Sequence, residues 1–270
     1  MRALNLIDTW PAPAPAAVAV GSGGEMARRG PVDSERRWAS VTKLVTAYAA
    51  LIAHERGIAS LDEAAGPTGA TVRHLLAHAS GLPFEGRTPI AAPGRRRIYS
   101  NTGFDQLGEV ISARNNQSYA AVVADQILAP LRIEARVEGR PSEGLVGTTA
   151  GMSRFALELL SPTLISVDIW KAAISVAFPG LPGVLPGVGR FRPLDWGLGF
   201  EIRDGKVPHW TGSNNSPSTF GHFGGAGTFL WVDPARQVAL CVTTEREYGP
   251  WALQFWPELS DAVLAEASNP

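Results

Sequence analysis

Ser40 and Lys43 stand three residues apart in Ser40-Val41-Thr42-Lys43, and residues at that separation share one face of a helix. A hydroxyl and an amine so placed can serve as nucleophile and proton acceptor, provided burial and nearby positive potential push the amine toward neutrality. Val41, Leu44, Val45, Tyr48, Leu51 and Ile52 recur at the spacing of one buried helical face, which puts Ser40 at the helix start as a favoured cap. A structural capping box would then place Glu or Gln three residues on. This chain has Lys43 there, a cation beside the positive end of the helix dipole. A residue that breaks a local rule without structural gain is a candidate for function. Ordinary composition gives about one S-x-x-K by chance in a chain this long, so the motif alone also fits a serine cap followed by an incidental lysine. It occurs once here, in a chain with only three lysines.

Two further groups could complete a site. In Tyr99-Ser100-Asn101, after the turn at Pro93-Gly94, a phenol and an amide two residues apart point the same way from extended backbone and suit one cleft. A loop tyrosine with an asparagine in a cap or Asx turn is the other reading. Gly221-His222-Phe223-Gly224-Gly225-Ala226-Gly227 leads into a strand from Thr228, and glycines in a strand often mark close approach of a ligand to the backbone. His222 and Gly224 alternate onto one face of that strand. An edge strand bent by glycines, with a hydrogen-bonded histidine, explains the stretch equally well. His74 and His78 have metal-ligand spacing, but Leu75 stands where H-E-x-x-H has its Glu and no third ligand clusters with them. They read as a structural pair, and no metal or cofactor is assigned. Cys241, the one cysteine, rules out an internal disulfide and lies in an apolar run as a buried, inert thiol.

The elements that must position these residues follow from patterning. The 270 residues make one large domain or two intimate ones, with the 45% apolar and 18% charged content of a globular enzyme. A net charge of −1 argues against a nucleic-acid partner and leaves the arginine runs at 28–29, 36–37 and 95–97 as solvated faces or anion-facing loops. No stretch approaches the roughly 18 apolar residues of a membrane span. Prolines 11, 13 and 15 spoil a secretory apolar region, so the expected location is cytoplasmic. Ala16 to Val20 reads as a strand turning at Gly21–Gly24, and the Ser40 helix stops at Gly57. Further helices are expected over Thr71 to His78, Thr102 to Ala113, Ser118 to Leu128, Thr149 to Leu160 and Trp251 to Ala267. Strands are expected over Trp196 to Ile202 and Phe229 to Thr243, the latter turning at Asp233–Arg236. Pro179 to Gly189 is too rich in glycine and proline for regular structure and reads as a mobile loop.

Taken in order, these residues resemble the serine beta-lactamase-like hydrolase family, which includes class C beta-lactamases, D-alanyl-D-alanine carboxypeptidases, lactamase-fold esterases and D-aminopeptidases. The resemblance spans nearly the whole chain. Trp38-Ala39-Ser40-Val41-Thr42-Lys43 is similar to the family's S-x-x-K motif, and Thr71 to Pro83 to its H-T-S-G-L-P stretch, with Ala79 in place of threonine. Tyr99-Ser100-Asn101 matches Y-x-N, Gly103 to Ile111 looks like the helix that follows, and Leu145 to Gly151 is a looser match to a helix-leading stretch. His222-Phe223-Gly224 stands in the place of K-T-G, in the H-x-G form of the peptidase and esterase branches.

The resemblance implies an α+β fold: an antiparallel sheet flanked by helices and built from both termini, residues 1–66 and 191–270, with an inserted all-helical domain at 67–190. The site would lie between the two. By position, Ser40 would be the acylated nucleophile, with Lys43 and Tyr99 sharing general-base duty. Asn101 would hold the substrate amide or Lys43. His222 and Gly224 would line the substrate site, and the backbone N–H groups of Ser40 and Gly225 would form the oxyanion hole. Three departures shift the expectation from lactamase toward a cytoplasmic hydrolase of small-molecule esters or amides, acting through an acyl-Ser40 intermediate. His222 removes a fixed cation that would bind a carboxylate, the shorter chain implies a more open cleft, and without a secretion signal there is no access to peptidoglycan. A non-catalytic ligand-binding or penicillin-binding protein on the same fold is the alternative.

Overall fold

The computed structural model describes residues 1–268 of the chain. After a 3-10 turn at Ala3–Thr9, β1 (Ala16–Gly21) and β2 (Gly24–Arg29) form the hairpin that the glycines signal. β3 (Arg36–Arg37) leads through a 3-10 turn at Ala39–Val41 into α1 (Thr42–Glu55), which ends where Gly57 takes φ +68°. Next come α2 (Val72–Leu76), α3 (Asn101–Asn115), α4 (Tyr119–Val123), β4 (Ala135–Val137), β5 (Leu145–Gly147), α5 (Thr149–Leu160) and α6 (Val167–Ala173). β6 (Gly183–Leu185), β7 (Gly189–Phe191), β8 (Glu201–Ile202), β9 (Phe220–Gly224), β10 (Thr228–Asp233), β11 (Val238–Thr243) and α7 (Pro250–Ala267) complete the chain.

The main sheet is antiparallel throughout, in the order β2-β1-β11-β10-β9-β8, so strands from the two ends of the sequence meet at the β1–β11 pair. β1, β10 and β11 are buried on both faces, which explains why their sequences are almost continuously apolar. Their period of two sends alternate residues to two cores. Val18, Val20, Leu230 and Cys241 face the layer of α1 and α5, while Ala19, Phe229, Trp231 and Leu240 face α7 through Trp256 and Val263. β3, β5 and β4 form a second small sheet within the largely helical middle of the chain.

Three expectations need correction. α1 is buried all round from Thr42 to Ala53, not along one face, because it runs between the sheet and the other helices and so must be apolar or small on every side. Of the strand expected over Trp196 to Ile202, only Glu201–Ile202 pairs with β9. Gly197 and Gly199 fold the preceding residues back, Gly197 N–H donating to the Phe200 carbonyl at 2.8 Å. A Cβ on Gly199, at φ +98°, would lie 2.1 Å from the Ala47 Cβ, so this turn presses directly on α1. Pro179 to Gly189 contains β6 and the turn into β7 and is anchored: Leu185 is buried, Arg97 N–H donates to the Pro182 carbonyl and Leu194 N–H to that of Leu181.

Arg97 ties that hairpin to the helical layer. Its buried guanidinium donates to four carbonyls, those of Leu194 at 2.7 Å, Ala177 at 2.7 Å, Phe178 at 3.2 Å, and Ala77. Burial lowers its pKa to about 10, opposed by Asp195, which leaves it charged at neutral pH. Arg97→Met leaves those carbonyls without their donor, and the expected loss is about 3 kcal/mol of unfolding free energy. Urea titration checks it: the midpoint falls at unchanged slope.

Candidate active site

The turn that presents Ser40 is strained. Ala39 sits at φ +47°, where an L-residue with a Cβ pays about 1 kcal/mol. The turn persists because Trp38 is clamped on both sides: its N–H donates to the Leu145 carbonyl at 2.9 Å and its carbonyl accepts from Thr228 Oγ1 at 2.9 Å. Strain held by its surroundings is a mark of a functional position. Gly224 lets β9 pass close by; a Cβ there would stand 2.5 Å from Thr228 Oγ1 and 2.7 Å from the Trp38 carbonyl oxygen. Gly225, one residue on, has nothing within 4 Å of its Cβ position and borders the open cleft. The cap reading of Ser40 does not hold, because the turn displaces the start of α1 and no side chain caps it. The serine hydroxyl is thereby left to the cleft.

Lys43 reaches it from the first turn of α1. The fully buried amine lies 3.1 Å from Ser40 Oγ, 2.7 Å from Asn101 Oδ1 and 2.9 Å from the Ser142 carbonyl oxygen. It also lies over the Tyr99 ring at 4.9 Å. Among the described residues no carboxylate pairs with it directly. Burial lowers its pKa to about 7; Glu143, Asp105 and Glu85 oppose the shift from a distance and Arg140 adds to it. As an ammonium, Lys43 donates to all three acceptors. As a neutral amine it keeps two donors for the two carbonyl-type oxygens, and its lone pair is left for the serine hydroxyl.

Asn101 opens α3, behind Ser100, whose hydroxyl caps that helix through Gly103 N–H at 2.9 Å. Its amide is fixed at both ends, with Oδ1 on Lys43 and Nδ2 donating to Glu85 Oε1 at 3.0 Å. Glu85 is in turn gripped by both Nη atoms of Arg140, at 2.7 and 3.0 Å. The Arg140 and Asn101 hydrogen bonds lower the Glu85 carboxyl to about 2. Tyr99 lines the cavity with Ser40, and burial pushes its pKa up against the opposing influence of the Ser40 hydroxyl, so it stays a phenol at neutral pH. Its ring rests on His78 at 4.6 Å between centroids.

His222 is buried on β9, with Nδ1 2.6 Å from the Phe223 carbonyl oxygen. A carbonyl only accepts, so Nδ1 carries the proton and Nε2, which has no partner among the described residues, keeps a lone pair. Burial first, then repulsion from Lys43, lowers its pKa to about 3, and the ring is uncharged. A cavity of about 240 Å³ joins Ser40, Tyr99, His222 and Gly225 to Leu185, Trp196 and Tyr248.

The structure therefore gathers Ser40, Lys43, Tyr99, Asn101, His222, Gly224 and Gly225 around one cleft. His74 and His78 stay apart in role: His74 Nδ1 contacts Thr71 at the start of α2, and His78 Nδ1 accepts from Ser100 N–H at 3.1 Å behind Tyr99. Burial drives the Cys241 thiol pKa upward, so it stays a protonated, buried thiol. Sequence reading missed Ser142, Glu85 and Arg140. The first acts through a backbone carbonyl, which no residue type announces, and the other two meet across 55 positions of chain.

The family model described as Beta-lactamase matches residues 14–264. The solved structure of a beta-lactamase from Mycobacterium bovis superposes with a TM-score of 0.97 at 47% identity, covering 98% of this chain and 99% of that one. Unliganded selenomethionyl simvastatin synthase from Aspergillus terreus matches at TM-score 0.82 and 16% identity, over 98% of this chain and 97% of that one. An octameric penicillin-binding protein homologue from Pyrococcus abyssi matches at TM-score 0.76 and 19% identity, over 97% and 76%. These last two likenesses show the fold alone. A comparison with curated proteins finds no match. Among the described residues no helix is long and apolar enough to cross a membrane.

Proposed function

This chain belongs to the beta-lactamase family, and on that premise we propose that it is a serine hydrolase that cleaves a small-molecule ester or activated amide through an acyl-Ser40 intermediate. The observation that carries the reading is the buried Lys43 amine, 3.1 Å from Ser40 Oγ and held near neutrality without a contacting carboxylate. Lys43 takes the Ser40 proton as Oγ attacks the substrate carbonyl carbon. The carbonyl oxygen becomes an oxyanion, with the Ser40 and Gly225 amides as its donors. Collapse breaks the bond to the leaving group, which takes a proton through the Tyr99 phenol, itself resupplied by the Lys43 ammonium. Water then attacks the acyl ester by the same proton path in reverse and releases the acid. Base assistance and the oxyanion hole each supply roughly two to three powers of ten in rate.

The walls of the site favour an ester over a beta-lactam. His222 is uncharged and offers only a lone pair, so no fixed cation stands there for a carboxylate beside the scissile bond. Leu185, Trp196 and Tyr248 shape the rest of the cavity for an apolar group.

A fluorophosphonate should add once to the protein, at Ser40 by peptide mass mapping; an adduct elsewhere sinks the assignment. The pH dependence gives an independent check. The reactive form has neutral Lys43, whose pKa is about 7, so the acylation rate constant should climb about tenfold per unit below pH 7 and level off above it. Pre-steady-state bursts with p-nitrophenyl acetate between pH 5 and 9 measure this. A flat profile across pH 5.5 to 8 removes Lys43 as the titrating base.

A further inference from the structure

The Arg95–Arg97 segment and the β6–β7 hairpin wall a groove of about 910 Å³ that meets the catalytic cavity at Phe84, Tyr99 and Pro186. Its charge is one-sided. Arg96, Arg190 and Arg192 line it and no Asp or Glu does. Among the described residues none of these three arginines has a carboxylate partner, and the one contact of Arg96 is a long one, 3.4 Å to the Ile90 carbonyl oxygen. Eight other arginines, from Arg28 to Arg140, each pair with a carboxylate. Arg96, Arg190 and Arg192 thus stand beside the catalytic cleft as cations that no carboxylate in the groove wall offsets.

The groove is also apolar where it meets solvent. Phe84, Ile90 and Val184 are 53%, 56% and 47% exposed, and they account for three of the seven large hydrophobics left exposed among the described residues. An apolar lining interspersed with arginines matches an apolar chain that ends in an anion. Such a ligand is complementary both to the groove and to the pocket at His222, whose neutral ring puts no cation beside the scissile bond.

We propose that this groove holds the distal part of the substrate, an apolar chain ending in a carboxylate or phosphate, and so selects esters that carry negative charge remote from the scissile carbonyl. The assignment rests on the serine-hydrolase reading for its chemistry but not for its binding. Arg96 and Arg190, from adjacent hydrogen-bonded segments of the groove lining, bind the anion, and Arg192 adds long-range attraction that draws it in.

The test compares p-nitrophenyl hydrogen suberate with p-nitrophenyl methyl suberate, two esters of equal length that differ in one remote charge. At 20 mM salt the free acid should be preferred at least tenfold in kcat/KM. That ratio should fall below about threefold at 1 M salt, where the screening length is about 3 Å. In the triple variant Arg96→Gln/Arg190→Gln/Arg192→Gln, all exposed positions, the ratio should approach one at both salts. Calorimetric titration of Ser40→Ala with the same two esters reads binding without turnover. A ratio near one in the wild type, or a preference that survives the triple variant, overturns the groove assignment while Ser40-dependent turnover keeps the hydrolase reading. Tighter binding of the acid to Ser40→Ala, with no turnover of either ester by the wild type, leaves the groove assignment standing and removes the hydrolase.

Discussion

Ser40→Ala is expected to lower p-nitrophenyl acetate turnover at least a thousandfold, about 4 kcal/mol in barrier, and to abolish the acylation burst. The hydroxyl is the only atom group removed, and it carries no helix cap, so the fold loses little by its removal. Lys43 keeps Asn101 Oδ1 and the Ser142 carbonyl oxygen as acceptors, so no buried charge is stranded. Trp38 and Ala39 retain the clamp that sets the turn. The variant should therefore melt within a few degrees of the wild type while losing all covalent labelling. A burst of normal amplitude in folded Ser40→Ala ends the acyl-enzyme mechanism.

Lys43→Arg should be nearly as inactive, for a different reason. A guanidinium can donate to Ser40, Asn101 and Ser142, but it stays protonated at any working pH and cannot accept the serine proton. The expected loss is two to three powers of ten in the acylation rate, roughly 3–4 kcal/mol, with the rise through pH 7 gone from what remains. If Lys43 only oriented Ser40, arginine would serve in part. A folded variant that keeps more than about a tenth of the wild-type rate, a difference under roughly 1.4 kcal/mol, counts against Lys43 as the proton acceptor. Circular dichroism and a thermal melt establish that the larger side chain is accommodated. Lys43→Met, smaller and uncharged, provides a second folded comparison.

The same amine costs the protein stability. Its pKa falls from 10.5 to about 7 on folding, so the unfolded chain binds more protons between those values and stability from this group rises with pH across that window. Below about pH 7 its penalty is fully present. An unpaired buried lysine is retained against that penalty, which is what a catalytic role predicts.

The parts of the site that a residue type announces locally were legible in the sequence. Ser40 and Lys43 declared themselves by spacing and by the wrong charge at a helix start, and Gly224 by its place in a strand, where the structure puts it against the nucleophile turn. The sheet assembled from both termini followed from the apolar runs of β1, β10 and β11. What stayed hidden depends on contacts far apart in sequence. The β6–β7 hairpin is ordered through Arg97 and Leu185, which local proline and glycine content conceals. The Gly197–Gly199 turn exists because α1 lies against it. The left-handed backbone of Ala39 belongs to the clamp on Trp38, not to alanine.

The clamp has an order in time as well as in space. Trp38 is held by Leu145 from the middle of the chain and by Thr228 from near its end, the second bond spanning 190 positions. Synthesis runs from the N-terminus, so the serine and the lysine leave the ribosome long before the strand that bends their turn into shape. Until β10 arrives the clamp on Trp38 lacks its second bond, and the strain at Ala39 is only partly held. The geometry proposed for catalysis is thus a property of the assembled molecule, completed only when both bonds to Trp38 are made.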